Sequence, residues 1–154
     1  MIHGIDTSFL IALEQNEHQH HAVATALVGR LLATGDRLAL CPQVLDEFIH
    51  VVTDVKRFSK SLDIVTARRT AEKWWTAGEV DRVYPNEAAV SQFFSWVDQF
   101  KLGRKRLLDT MLAATYFHNR VTSILTINPS DFAVLGVFDC PKLSLPTPRQ
   151  GPTT

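Results

Sequence analysis

The chain has little cysteine, no excess of either charge and no long apolar run, and each shortage closes off a class of protein. Cys41 and Cys140 are the only cysteines among 154 residues, and they form no Cys-x-x-Cys pair. That argues against a disulfide framework or a thiolate zinc centre and for reduced thiols packed in a core. Lys plus Arg and Asp plus Glu both number 16, so net charge directs the protein toward neither nucleic acid nor a membrane, and electrostatic steering has to be local. No stretch approaches about 18 uncharged apolar residues, and the start MIHGIDTSFLIAL has no basic segment ahead of a long apolar one. A cytoplasmic protein with no membrane partner is expected. Internal repeats and low-complexity tracts are lacking too, except at residues 146–154, whose Pro, Thr and Gly content reads as a disordered tail.

What is present is enough for one core. A length of 154 residues with 45% hydrophobic content fits a single domain over residues 1–145. Residues 2–5 read as a short buried strand feeding a helix at 8–13, and a second helix is expected at 18–33. Residues 36–40 lead through Pro42 into a periodic helix carrying Val44, Phe48, Val51 and Val55. Further helices are expected at 61–77, from a cap at Asn86 to about residue 102, and at 107–118. Strands are expected at 80–84, 121–126 and, as a last edge strand, 142–145, with a helical turn beginning at Asn128. Short strands alternating with helices define an α/β fold with a mainly parallel central sheet, and such sheets collect ligands at the carboxyl ends of their strands.

Four acids, Asp6, Glu47, Asp109 and Asp131, sit at the edges of apolar segments. Isolated buried carboxylates are costly, so acids placed this way need a donor, a cation or a metal as partner. Each also has a local explanation. Asp6 follows the first strand and is well placed to cap the helix behind it. On the helix containing Val44 and Phe48, at about 100° per residue, Asp46 faces away from the apolar stripe while Glu47 lies on its boundary. Asp109 occupies the first turn of a helix whose stripe is Leu108, Met111, Leu112 and Thr115, where the helix dipole favours an acid and Ala113 leaves space. Asn128 as cap, Pro129 at the first helical position and Asp131 two residues on make a complete helix start. No pair has a short metal-binding spacing. Context common to all four is the argument: two follow strands and two flank inward helix faces. An oxygen-rich site of this kind suits Mg²⁺ or Mn²⁺ and phosphate ester chemistry.

The segments Ile5-Asp6-Thr7-Ser8-Phe9-Leu10, Val44-Leu45-Asp46-Glu47-Phe48, Leu108-Asp109-Thr110-Met111-Leu112-Ala113-Ala114 and Leu125-Thr126-Ile127-Asn128-Pro129-Ser130-Asp131-Phe132 occur in this order. Together they resemble PIN-domain ribonucleases, specifically VapC-type toxins of type II toxin–antitoxin modules, over about residues 2–145. Ile127 and Pro129 depart from the polar residues often found in the family's last motif, which bears on loop shape more than on chemistry.

The resemblance implies a PIN-like, Rossmann-like three-layer α/β/α sandwich with a short parallel sheet. It also implies metal-dependent endonucleolytic cleavage of RNA, a homodimer and a cognate VapB-like antitoxin. Asp6, Glu47, Asp109 and Asp131 correspond to an acidic quartet holding Mg²⁺ or Mn²⁺. Asp6 and Asp109 are the expected direct ligands, with Thr126 and Asn128 orienting groups around them.

Arg104, Lys105 and Arg106 adjoin Asp109 and are candidate RNA-phosphate contacts, with Lys56, Arg57 and Lys60 extending the track; a solvated charged loop accounts for them equally well. Trp74, Trp75, Phe93, Phe94 and Trp96 divide between core and a groove for an antitoxin helix or dimer contact. His18, His20 and His21 lack a matching ligand set and read as exposed helix residues. Two competing functions stand beside the nuclease. One is a catalytically silent PIN-like partner-binding module. The other is a phosphohydrolase working through an aspartyl phosphate on Asp6, disfavoured because Ser8 occupies the place of its usual second Asp.

Overall fold

The computed structural model describes residues 1–144, so the expected tail at 146–154 and Leu145 lie outside the described residues. Four strands, β1 (Ile2–Ile5), β2 (Arg37–Leu40), β3 (Val80–Arg82) and β4 (Ser123–Leu125), form one sheet in the order β3-β2-β1-β4. Every pairing is parallel, with Gly4 opposite Ala39 on one side and Ile124 on the other. The chain steps outward from β1 to β2 and β3, then crosses back to place β4 on the far side of β1. That reversal is the topological switch point, and crevices of open α/β sheets open there, at the strands' carboxyl ends.

Helices α1 (Thr7–Glu14), α2 (His21–Ala33), α3 (Pro42–Val52) and α4 (Ile64–Thr76) supply the first two crossovers and pack on one another. A second group, α5 (Glu87–Gln99), α6 (Leu107–His118) and α7 (Ser130–Ala133), packs together through α6. The result is the expected α/β fold, with a parallel sheet flanked by helices. β1 and α6 have the bounds expected from the sequence, and local chemistry explains most of the others. Asn86 caps α5 by accepting from the Ala89 amide at 2.8 Å. Asp63 caps α4 from Thr66 at 2.9 Å, so that helix starts at Ile64 and not at residue 61. Gly35, at φ +83°, takes the left-handed turn that ends α2 before β2.

Several expectations are corrected. Helix α2 begins at His21, because the segment before it forms turns in which the His18 amide donates to Gln15 O and the His20 amide to His18 Nδ1. His18 and His20 are therefore turn residues. Helix α3 stops at Val52, where Thr53 Oγ1 takes the Ile49 carbonyl at 2.7 Å, leaving Val55 75% exposed and off the core stripe. Leu108 is likewise exposed, not core. Residues 142–144 are not a strand; instead Asp139 makes an isolated parallel bridge to Ser123. Helix α7 starts at Ser130 with no side-chain cap, so Asn128 is not its N-cap.

One residue pins the second helix group over the sheet. Tyr116 of α6 is fully buried, and its hydroxyl donates to Ile5 O at 2.6 Å and faces Ala39 O at 3.2 Å. The ring lies on Gly4, where an added Cβ would stand 2.6 Å from it, so only glycine permits this approach. Phe9, Phe48, Phe132, Leu10 and Leu40 fill the rest of the core with no more than 1% exposure, each contributing roughly 1.5–3 kcal/mol by burial. Tyr116 lies seven residues after Asp109 and so shares its helix face. Its bond to the last residue of β1 therefore sets Asp109 against Asp6, the next residue of the chain.

Candidate active site

Asp6 leaves the carboxyl end of β1 at the position that precedes α1, but its carboxylate does not cap the helix. It is turned into the sheet rim, where Ser8 Oγ donates to Oδ2 at 2.5 Å and Thr126 Oγ1 donates to the same oxygen at 2.8 Å. The Asp6 amide meanwhile donates to Leu125 O at 3.0 Å, which carries the β1–β4 pairing one residue past the strands and sets Asp6 beside Thr126. Asp6 is only 7% exposed. Burial raises its pKa most, the two hydroxyl donors oppose the rise, and the nearby Glu47 charge adds to it.

The remaining acids arrive from three other elements. Glu47, on the boundary of α3 as expected, accepts from Thr7 Oγ1 at 2.8 Å, while Asp46 faces water. Asp109 enters from the first turn of α6 and Asp131 from the first turn of α7. All four line one cleft of about 200 Å³, together with Thr7, Ser8, Arg57 and Asn128. Asp109 reports the crowding: its pKa is raised to about 6, first by burial and then by the Asp6, Asp131 and Glu47 charges, with Arg106 opposing them. Thr126 is buried and also accepts from the Asn128 amide at 3.0 Å, which ties the two polar residues of the last segment to the Asp6 carboxylate.

The expected quartet is thus gathered at one rim, but not as a finished metal cage. Among the described residues, no three His, Cys, Asp or Glu side chains are arranged to enclose an ion. Two of the acids are engaged by the chain itself: Thr7 donates to Glu47, and Arg106 donates through Nη1 to Asp131. The donor set nonetheless fits a hard divalent cation. It is all oxygen, partly desolvated, and carries mutual repulsion that a cation relieves. The expected basic trio divides: Arg104, Lys105 and Arg106 form a 3₁₀ turn ahead of α6 and line a separate cavity of about 650 Å³, while Arg106 also turns toward the quartet. Thr7 and Ser8, as carboxylate-orienting donors, went unassigned in the sequence; their position after Asp6 was the available signal. Trp74, Trp75 and Phe93 are partly buried against the core, Trp96 is buried, and Phe94 is 61% exposed.

A parallel sheet with a carboxylate cleft at its switch point defines an open α/β protein whose candidate site lies at the carboxyl ends of the strands. The model of a family described as PIN domain matches residues 5–135, and the chain belongs to that family. No curated protein sequence matches it. Among solved structures, it is similar to VapBC-1 from nontypeable Haemophilus influenzae, with a TM-score of 0.66, 21% identity, and 93% of this chain and 98% of that one covered. Mycobacterium tuberculosis VapC20, described as a Sarcin-Ricin loop cleaving toxin, aligns with a TM-score of 0.65 at 18% identity over 86% of this chain and 94% of that one. VapBC2 from Rickettsia felis, bound to a DNA fragment from its promoter, aligns with a TM-score of 0.66 at 15% identity over 92% and 98%. At these identities the likeness establishes the shared fold. No helix among the described residues is long and apolar enough to cross a membrane.

Proposed function

We propose that the protein is a metal-dependent endoribonuclease, the toxin of a toxin–antitoxin module, and that Asp6, Glu47, Asp109 and Asp131 hold Mg²⁺ or Mn²⁺. The observation that carries this reading is the convergence of acids from β1, α3, α6 and α7 on one cleft, with Asp109 raised to about 6 by burial and then by the neighbouring carboxylates. Similarity to a Sarcin-Ricin loop cleaving toxin supports RNA as the substrate. When bound, the ion supplies Lewis acidity at a phosphate and a countercharge for its oxygens.

The chain's own groups do the rest. Asp6 and Asp109 are the direct ligands, and Ser8 and Thr126 aim the Asp6 carboxylate by donating to Oδ2. Thr7 holds Glu47 in the same way. Asn128 lines the cleft next to Thr126 and orients the groups that meet the phosphate. Arg106, on release of Asp131, reaches a phosphate oxygen, and Arg104 and Lys105 hold the strand beyond it. In-line attack by water and departure of the 3′-oxygen leave a 5′-phosphate and a 3′-hydroxyl.

The VapBC assemblies among the similar structures support a VapB-like antitoxin as partner, and a homodimer belongs to the same reading. The Arg106–Asp131 contact favours a second reading, a silent partner-binding module whose quartet is closed by its own arginine. Purified protein incubated with structured RNA and Mg²⁺ or Mn²⁺, against EDTA and Asp6→Asn, separates the two. Cutting lost in both controls is the nuclease result. A folded, antitoxin-free protein that neither binds metal nor cuts is the silent module.

A further inference from the structure

The connections between α1 and α2 and between α3 and α4 enclose a cavity of about 420 Å³ that no part of the catalytic reading uses. Gln15, Glu17, His18, Arg57, Phe58 and Lys60 line it. Arg57 lines the quartet cleft as well, so the two spaces meet across one guanidinium. Glu47 also lines a third cavity, and Leu108 lines both that one and the cavity of Arg104 and Lys105. The quartet cleft thus has neighbouring cavities that carry Arg57 in one and Arg104 and Lys105 in another, cations suited to the phosphates of a nucleic-acid strand.

The chemistry of the far cavity is that of a base site. Its volume falls within the about 300–1,000 Å³ of small-molecule clefts. Among the described residues Gln15 Nε2 is buried with no hydrogen-bond partner, an uncommon condition for a group with two donors. The His20 amide donates to His18 Nδ1 at 3.1 Å, which leaves the proton of the neutral ring on Nε2. Lys60 is engaged by Glu17 at 2.6 Å and the two neutralise each other. Arg57, whose Nε stands 3.6 Å from Asp54, lines both this cavity and the quartet cleft. Phe58, half-buried against the core, gives the cavity an apolar wall.

We infer that this cavity is a nucleotide subsite, taking the base of the unpaired RNA nucleotide next to the bond cut in the quartet cleft. Arg57 holds the connecting phosphate, and His18 Nε2 and the Gln15 amide, once it turns into the cavity, donate to the base edge. Two donors facing the base favour one that bears a carbonyl over adenine. The inference rests on the nuclease reading above.

The test pairs two measurements on the full chain. In the first, a pool of short single-stranded RNAs carrying 4-thiouridine is photo-crosslinked to the Asp109→Asn protein and the modified peptides are mapped. Crosslinks at residues 15–20 and 57–60 are expected; crosslinks confined to other surfaces overturn the subsite. In the second, cut sites in the same RNA pool are sequenced for the wild type, Gln15→Leu and Arg57→Gln, each checked for an unchanged melting temperature. Arg57→Gln is expected to raise KM about tenfold, and Gln15→Leu to erase the base preference beside the cut. Unchanged KM and unchanged preference refute the subsite while leaving the nuclease standing. Absence of any cutting by the wild type refutes the nuclease; crosslinks at the cavity then uphold it as an RNA site, and their absence refutes that too.

Discussion

The two ends of the sheet treat the same side chain in opposite ways. At the amino end, Asp36 meets the terminal ammonium of Met1 at 2.5 Å and His3 Nε2 at 3.2 Å, and these donors hold its carboxyl below the usual range. His3 is anchored in turn on Ser123 at 2.7 Å, so the cluster ties β1, β2 and β4 together. At the carboxyl end of the same strand, Asp6 and Asp109 are pushed upward, first by burial and then by neighbouring carboxylates: Glu47 acts on Asp6, and Asp6, Asp131 and Glu47 act on Asp109. The amino-end acid has its cations within the chain and stabilises the fold. The carboxyl-end acids have too few, and the fold holds them together against their repulsion. A carboxylate cluster that costs stability is the mark of a site whose partner comes from outside.

Exchanging acids between the two roles gives the largest expected effect. Asp109→Asn and Asp6→Asn should lower metal-dependent RNA cleavage by more than about a hundredfold, the upper end of what loss of an outer partner alone costs. The ion-free Asp109→Asn protein should also melt higher than the wild type, because one repelling charge is gone. Loss of cleavage with an equal loss of folding would instead make these acids ordinary structural residues. Next come the donors around Asp6: Thr126→Val and Ser8→Ala should each reduce cleavage about 10- to 100-fold while the protein still binds metal, read by kcat and metal affinity together.

The pH dependence sharpens the contrast, because the two ends act in different windows. Asp109 and Asp6 have folded pKa values above the unfolded 3.8, so the native state binds their protons first. The ion-free protein should gain stability as pH falls from 7.5 toward 5, and lose it as pH rises through about 6, the pKa of Asp109. Asp36 is lowered from 3.8, so its contribution is present above 3.8 and lost only in stronger acid. Melting curves at pH 7.5, 5 and 3 check both signs. With saturating Mn²⁺ the gain between pH 7.5 and 5 should vanish or reverse, since the cation holds the carboxylates ionised. The smallest effect belongs to Asp36→Asn, which should lower the melting temperature slightly and leave cleavage unchanged.

How much of this the sequence disclosed depended on whether a signal was local. Ile2–Ile5 and Leu107–His118 were legible because an apolar run or a helical period lies wholly within each. The helix starts at His21 and Ser130 were not, because turns and not side-chain caps decide them. Val55 continued the helical period beyond the residue where Thr53 ends it. Each quartet acid had a sufficient local explanation, so only their common context, two after strands and two beside inward helix faces, and the order of the four segments pointed to a shared site. The Asp6 cap shows why: the backbone is in capping position, yet the carboxylate is claimed by Thr126, 120 residues away. The contacts of Thr7 with Glu47 and Arg106 with Asp131 also join separate elements and leave no trace in spacing.

The central claim is that the carboxyl-end acids form a cation site and the amino-end acid does not. Calorimetric titration of Mn²⁺ into metal-stripped protein tests it most directly, using the wild type, Asp109→Asn and Asp36→Asn at pH 7.5. Saturable binding in the wild type and Asp36→Asn, abolished in Asp109→Asn, is the predicted result. Equal binding by all three proteins, or none by the wild type, would contradict it.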